Sequence, residues 1–400
     1  MLNRKSEREP LFRIVKRDNL PKWQAWIIRI VAVFVALGIS AAVSAILTDG
    51  ASVGQFFKGL FEGVFSTKNT ILKFFQNTAI MLIIALALAP AFKMKFWNIG
   101  AEGQVLVGGL ACIVCIKSFG PSLNNWALLI IMLALSIGFS VVWAVIPAIF
   151  KAKWKTNETL FTLMMNYVAM QLVAVCIYLW VPNGSAVLGT LPYGHLPKLG
   201  GVNYIFNIII VAVIMVLIFI YFRFSKHGYE LSVVGESENT AKYVGINVKK
   251  VIIRTMMLSG VLCGVAGWLL VAGTDHSLTT NTVDSRGFTA ILVAWLGKFN
   301  PFFMGFTSML YVFIDQGAAR LASNYGMGDS FSDIITGIFF FFVIGCEFFI
   351  NYKIKFRFIG KHRGTVSPEP ETTVEGEISA DAFADDEAVP AVNVTEEVNA

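Results

Sequence analysis

Long stretches of apolar residues, almost free of charge, decide the fold class of this chain before any motif is considered. Trp26 to Leu47, Thr70 to Ala91, Trp126 to Ile149, Tyr204 to Phe222 and Phe331 to Asn351 all approach or exceed the helix-spanning length. That length is roughly 20 residues for about 30 Å of hydrocarbon. Inside lipid every backbone N–H and C=O must find its partner within the protein, which leaves helices or closed barrels. Barrel strands would be about 10 residues long and alternate in polarity, and these runs do not. Charged residues make up 14% of the chain, against roughly a quarter in soluble domains, so a large soluble enzyme is excluded. The reading is an all-α polytopic membrane protein of about ten transmembrane helices, with broken or re-entrant elements among them.

Composition shifts divide the chain into a basic arm at 1–25, a membrane domain at 26–352 and a C-terminal stretch at 353–400. After Arg363 there is no Lys or Arg but ten acidic residues, which leaves all 32 basic residues of the chain and sixteen acidic ones before that point. The tail from about residue 364 is acidic and poor in aromatics, so it is expected to be disordered. The basic body fits loops that meet anionic lipid and calls for no nucleic acid. With the amino end inside and ten crossings, 25 Lys and Arg fall on the cytoplasmic side and seven on or near the other: Lys58, Lys68, Lys73, Lys117, Lys198, Arg286 and Arg320. That asymmetry favours N- and C-termini that are both cytoplasmic. The charged amino end and the long first apolar run do not read as a cleavable signal peptide.

Between the first two long runs, Phe56, Phe57, Leu60 and Phe61 stand at helical spacing, which predicts a helix along the outer surface. Gly260, Gly264 and Gly267 read as small residues for close helix packing. Gly287 to Gly297 is too short to span comfortably. The one long charged stretch amid the apolar body is Ser225 to Lys250. It carries Glu236, Glu238, Lys242, Lys249 and Lys250 and a short helical piece from Asn239 to Val244, and is taken as a loop that something in water touches, although a solvated connector would look the same.

The usual chemical signatures are missing. Cys112 and Cys115 form a lone CxxC with greasy flanks, better read as buried small hydrophobes than as a metal or redox pair. The four histidines, His195, His227, His276 and His362, are scattered, and ion-pair or solvent roles account for them. No HExxH, GxSxG or phosphate-binding P-loop occurs. An ionisable residue at membrane depth is expensive and usually functional. Glu102, between Gly100 and Gly103, either faces a cavity where a helix begins within the membrane or sits at the interface and pairs with Lys93 or Lys95.

Four motifs in order carry a resemblance. Asn98-Ile-Gly-Ala-Glu-Gly-Gln104, then Lys151 to Glu158 with Thr162 to Tyr167, then Val234-Gly-Glu236 with Tyr243-Val-Gly-Ile-Asn247, and Gly287-Phe288 through Asn300-Pro301 resemble the permease subunits of ABC importers for simple sugars and nucleosides, nearest to the nucleoside branch. The resemblance covers roughly Thr70 to Ile350. It implies a non-enzymatic subunit of a prokaryotic cell membrane, with no cofactor of its own. ATP and Mg²⁺ would be used by partner ABC ATPase subunits, a second related permease would complete the pore, and an extracellular substrate-binding lipoprotein would deliver cargo. The coupling loop, 225–250, would present Glu236, Glu238, Ala241, Tyr243 and Gly245 to the ATPase. Relatives often carry Pro and Ala-Ala-Arg where this chain reads Asn239 to Lys242.

The cargo pathway is expected among polar residues that can hydrogen-bond a hydroxyl or a base edge: Asn77, Asn98, Glu102, Gln104 and Asn166, with Gln76 and Gln171 as further candidates. Trp97, Tyr167 and Trp295 offer aromatic faces. The alternative is an ion-coupled secondary transporter of a small polar solute, which asks for several intramembrane carboxylates. Glu102 and Glu347 are the candidates visible in the sequence.

Overall fold

A computed structural model describes residues 12–17, 21–48, 52–181, 188–199, 202 and 204–356. The expected acidic tail, His362 and much of the basic arm lie outside them. The chain divides into two units. In one, the described residues belong to a two-stranded sheet of Phe12–Lys16 (β1) and Tyr352–Phe356 (β2). The other, 16–353, is helical.

Its helices run in chain order: α1 (Lys22–Leu47), α2 (Val53–Phe65), α3 (Lys68–Lys93), α4 (Ala101–Phe119), α5 (Asn125–Trp154), α6 (Glu158–Trp180), α7 (Ile205–Phe224), α8 (Lys226–Glu236), α9 (Glu238–Tyr243), α10 (Val248–Leu270), α11 (Arg286–Leu296), α12 (Pro301–Asn324) and α13 (Asp329–Asn351). Among the described residues, eight are long and apolar enough to cross a membrane. Of the expected crossings, α11 has only 11 residues, while α12 has the length, at 24 residues, but carries Asp315 and Arg320. The first helix starts at Lys22, ahead of the expected Trp26.

The greasiest spans are not the innermost ones. The span in α7 has a mean hydropathy of 3.1 yet is 17% buried, whereas those in α3 and α4 have 1.9 and 1.4 and are each 72% buried. Lipid tails are as apolar as leucine, so nothing drives the greasiest helices inward; close packing of small and polar residues selects the interior ones. α3 is the centre, buried without interruption from Thr78 to Phe92, as expected of a helix apolar on every side. α10 lies against α5 and α4 through its glycines. A Cβ at Gly260 would stand 2.7 Å from Val141 Cα, one at Gly264 2.7 Å from Ile137 Cα, and one at Gly267 2.6 Å from the Val105 carbonyl.

α2 is helical as the spacing predicts and seats one face on neighbouring helices. It is amphipathic: Phe56 and Leu60 are buried in a cluster with α1, α12 and α13, and Val64 in the cluster that contains α3. Added Cβ atoms at Gly59 and Gly63 would run into Leu321 and the Gln316 carbonyl, so the helix docks on α12. Its open face carries Val53, Phe57, Phe61 and Phe65 together with the polar Gln55 and Lys58.

Candidate functional site

Two helices begin inside the fold, and neither is capped by its own sequence. Gly100 precedes α4 with no side-chain cap, and Ser285 precedes α11 in the left-handed conformation, also without one. The first turn of a helix leaves N–H groups that must be satisfied from elsewhere. For α4 the partners come from α6: Ile99 N–H donates to Thr162 Oγ1 at 3.1 Å and Gly103 N–H to Asn166 Oδ1 at 2.9 Å, while Asn166 Nδ2 donates back to the Ile99 carbonyl at 2.8 Å. Gly103 is needed here, because a Cβ would sit 3.0 Å from Asn166 Cα.

For α11 the partner is Glu102 itself. Its Oε2 accepts from Gly287 N–H at 2.8 Å and its Oε1 from Ser285 N–H at 3.1 Å. A carboxylate at a helix N-terminus is favoured by the helix dipole as well as by the bonds. The side chain therefore meets neither Lys93 nor Lys95. It caps a second, half-length helix and also lines a cleft, so the cavity reading of its sequence is the nearer one.

Asn98 and Gln104 fill the space behind. Asn98 Nδ2 donates to Ser259 Oγ at 3.1 Å, Gln104 Nε2 donates to Asn98 Oδ1 at 3.3 Å, and Ser259 Oγ donates to Gln104 Oε1 at 3.4 Å. Ser259 is the twelfth residue of the 23 in α10, and Asn166 the ninth of the 23 in α6. The crossing of the two helix starts thus sits near mid-depth. Asn98, Gln104 and Asn166 are 2% exposed or less, and their polar groups are turned on the protein's own chain.

Beside this crossing lies a cleft of about 190 Å³ lined by Glu102, Asn166, Tyr167, Met170, Thr280, Asn281, Asp284, Ser285 and Phe288. Tyr167 and Phe288 are 56% and 39% exposed. Asp284 and Ser285 both hold φ of +55°, a conformation that costs non-glycine residues of order 1–3 kcal/mol and gathers at functional sites. Thr280, Asn281, Asp284, Ser285 and Phe288 join the cleft without having stood out as polar pathway residues in the sequence. The run Thr279 to Ser285 is polar between two apolar helices, which is the signal that could have found them.

The other candidates fall elsewhere. Asn77 is half-buried on α3 and Gln171 is exposed on α6. Gln76 Nε2 donates to Thr274 Oγ1 at 2.6 Å, on the π-helical turn Val271–Asp275 that ends α10. Trp97 and Trp295 stack on each other, 5.7 Å between centroids, with Phe92 and Phe299 around them at the Lys93 end of α3. Glu347 is bound by Arg29 at 2.7 Å, and Asp315, on α12, is a half-buried carboxylate that the sequence reading passed over. His227 lies on α8, hydrogen-bonded to the Tyr221 hydroxyl, and the rings of His195 and His276 stand 3.9 Å apart. These three are partly open to solvent and make ring and hydrogen-bond contacts. Cys112 and Cys115 are buried, and no metal-binding group of side chains occurs among the described residues.

The charged central stretch folds as two helices, α8 and α9, where one short piece was expected. A Cβ on Gly235 would come within 2.2 Å of the Lys93 carbonyl, so the end of α8 rests directly on the end of α3. Ser237 caps α9 through Thr240 N–H at 3.3 Å, and Gly245, at φ +81°, turns the chain out of it. Ala241 is fully buried in a cluster with Ala91, Met94, Leu231 and Val251. Glu236, Glu238 and Gly245 are exposed, and Tyr243 is 92% exposed. A short helix is thereby anchored by one alanine while an aromatic side chain projects with no packing of its own.

Eight membrane-length helices among the described residues, a half-length helix that starts at mid-depth beside the start of α4, and a cleft lined by polar and aromatic groups define an integral membrane transport protein of the permease kind. The chain belongs to the family described as branched-chain amino acid transport system / permease component, whose family model matches residues 70–344. It is 28% identical over 331 residues, 80% of its length and 93% of the relative's, to the guanosine ABC transporter permease protein NupP of Bacillus subtilis. Similarity of 25% over 376 residues, 89% of this chain and 96% of the relative, links it to the glucose ABC transporter permease protein TsgB13 of Haloferax volcanii. The nucleoside ABC transporter permease protein NupB of Lactococcus lactis is 24% identical over 301 residues, 72% of this chain and 82% of that one. The chain is accordingly an ABC transporter permease of the plasma membrane, a transport component rather than an enzyme.

Proposed function

We propose that this chain forms part of the membrane passage of an ATP-driven importer of nucleosides, with both termini in the cytoplasm. Cargo handed over by an external binding lipoprotein passes the mid-depth cleft beside Glu102. ATP and Mg²⁺ are consumed by partner ATPase subunits that grip α8 and α9, and a second related permease supplies the facing wall. The observation that carries the reading is the cleft: exposed rings of Tyr167 and Phe288 beside Asn281 and Asp284 offer a face for a base and hydrogen-bonding groups for a ribose. Its volume falls below the roughly 300–1,000 Å³ of a complete ligand pocket, as half of a two-chain passage would.

Movement reaches the cleft by a rigid route. Displacement of α9 is passed through α8 and Gly235 to the end of α3, and along the α10 that follows Asn247, which caps it through Lys250 N–H at 3.2 Å. Asn98 joins the middle of α10 to the start of α4, and Glu102 joins α4 to α11. Packed helices that shift as near-rigid bodies are the common means of such coupling.

The test is uptake of labelled guanosine and glucose by vesicles holding the full assembly. Guanosine accumulation should stop when the ATPase loses its Walker lysine and persist when the proton gradient is collapsed with ATP maintained. Tyr167→Ala and Phe288→Ala should weaken guanosine uptake without unseating the ATPase. Accumulation without ATP hydrolysis would overturn the ATP-driven reading, and preferential carriage of glucose would overturn the cargo.

A further inference from the structure

At the Lys93 end of α3 the structure holds a basic cleft that the passage of cargo does not use. It measures about 520 Å³ and lies among the ends of α3 and α7 and the start of α12. Three cations line it, Lys93, Arg223 and Lys298, with Phe219, Phe222 and Phe299 between them. Like charges gathered without compensation repel one another unless an anion joins them. Lys93 Nζ lies 4.8 Å over the Phe222 ring, and among the described residues neither it nor Arg223 has a carboxylate partner. Lys298 reaches Glu347 only at 4.0 Å, and that carboxylate is already bound at 2.7 Å by Arg29. The backbone holds Lys298 in place with φ of +49°, a region that side-chain-bearing residues seldom occupy.

A second feature adjoins the first. An apolar groove of about 440 Å³ runs between α1, α12 and α13, and Lys298 belongs to both. Its walls include Ile30, Phe34, Phe303 and Phe306, which are 51%, 70%, 57% and 65% exposed. In a membrane such surface faces acyl chains.

We infer that the cleft and groove together form a binding site for one anionic phospholipid, its phosphate among Lys93, Arg223 and Lys298 and one acyl chain along the groove between α1 and α12. Cations at the ends of spanning helices attract anionic headgroups, by about a fivefold gain in affinity per Lys or Arg near the surface. The continuity of a three-cation cleft with a greasy groove favours a lipid over a soluble phosphate, which would leave the groove empty. The site joins the ends of α3 and α7; α8 follows α7 in the chain and rests on the end of α3, so an occupied site would hold the base of the α8 and α9 segment.

The test is native mass spectrometry of the assembled importer, released from nanodiscs containing phosphatidylglycerol and phosphatidylcholine. One phosphatidylglycerol per copy of this chain should survive a tenfold excess of phosphatidylcholine. Arg223→Gln with Lys298→Gln, both exposed positions, should lower that retention by about thirtyfold. Leu310→Trp, which fills the groove and leaves the charges alone, should also weaken it. Equal retention of the two lipids would overturn the proposal without any variant. So would sn-glycerol 3-phosphate binding as tightly as the lipid, which would mark a soluble-phosphate site, or cross-linking of a Phe306→Cys chain to the second permease, which would mark a subunit contact.

Discussion

Replacing Glu102 by glutamine tests the contact on which the mid-depth crossing rests. Both carboxylate oxygens are used, one by Ser285 N–H and one by Gly287 N–H, and the residue is 6% exposed. Glutamine keeps one acceptor oxygen and turns an amide NH₂ toward the other N–H, so one bond is lost with two donors facing each other, and the bond that survives is no longer charge-assisted. A hydrogen bond to a charged group contributes about 1.5–3 kcal/mol net, and the carboxylate's attraction to the helix end adds up to about 2 kcal/mol in partly buried geometry. Because one bond survives and the loop can relax, a loss of about 2 kcal/mol at the start of α11 is expected. If the first turn exchanges by local opening, its amides should exchange about thirtyfold faster. Hydrogen exchange read by mass spectrometry over 280–296, in the assembled importer, measures this, with uptake recorded in parallel. Exchange within twofold of the unaltered protein, whether or not uptake falls, would refute the capping role.

The remaining predictions address the coupling segment and one pH effect. Gly235→Ala should press a methyl onto the Lys93 carbonyl, 2.2 Å from the ideal Cβ position, and cost about 1–3 kcal/mol as over-packing does; ATP hydrolysis that continues while uptake fails would be its signature, and unchanged uptake would count against the rigid route. Tyr243→Asp alters a side chain that is 92% exposed, so the melting temperature should hold while the ATPase no longer co-purifies. Burial first, and then the charge of His195, hold the His276 imidazole below its ordinary range. Its contribution to stability is therefore complete above the unfolded value of about 6.5 and is lost as pH falls through the lower folded value. Thermal melts from pH 7.5 downward should show this loss, and His195→Gln should narrow the window; a melt that rises on acidification would contradict it.

The spans were legible because hydropathy over a window of about twenty residues is a local property. Close packing of α10 was legible too, since glycines at 260, 264 and 267 leave few other uses for that spacing. The role of Glu102 was not, because its partners stand 183 and 185 residues away in sequence; the flanking glycines told only that something approaches closely. What α2 packs against was hidden for a related reason. Its aromatic stripe gave the period correctly, but the docking face is set by Gly59 against Leu321 and Gly63 against Gly317 of α12, and a glycine has no side chain from which a partner can be inferred.

Composition alone determined that this chain lives in a bilayer as a bundle of helices, because burying unpaired backbone in lipid leaves little choice. Which helices occupy the middle, and that two of them start there, was decided by tertiary structure. The caps of α4 and α11 come from α6 and α4, and a hydrogen bond between distant segments exists only once the chain has folded to bring them together.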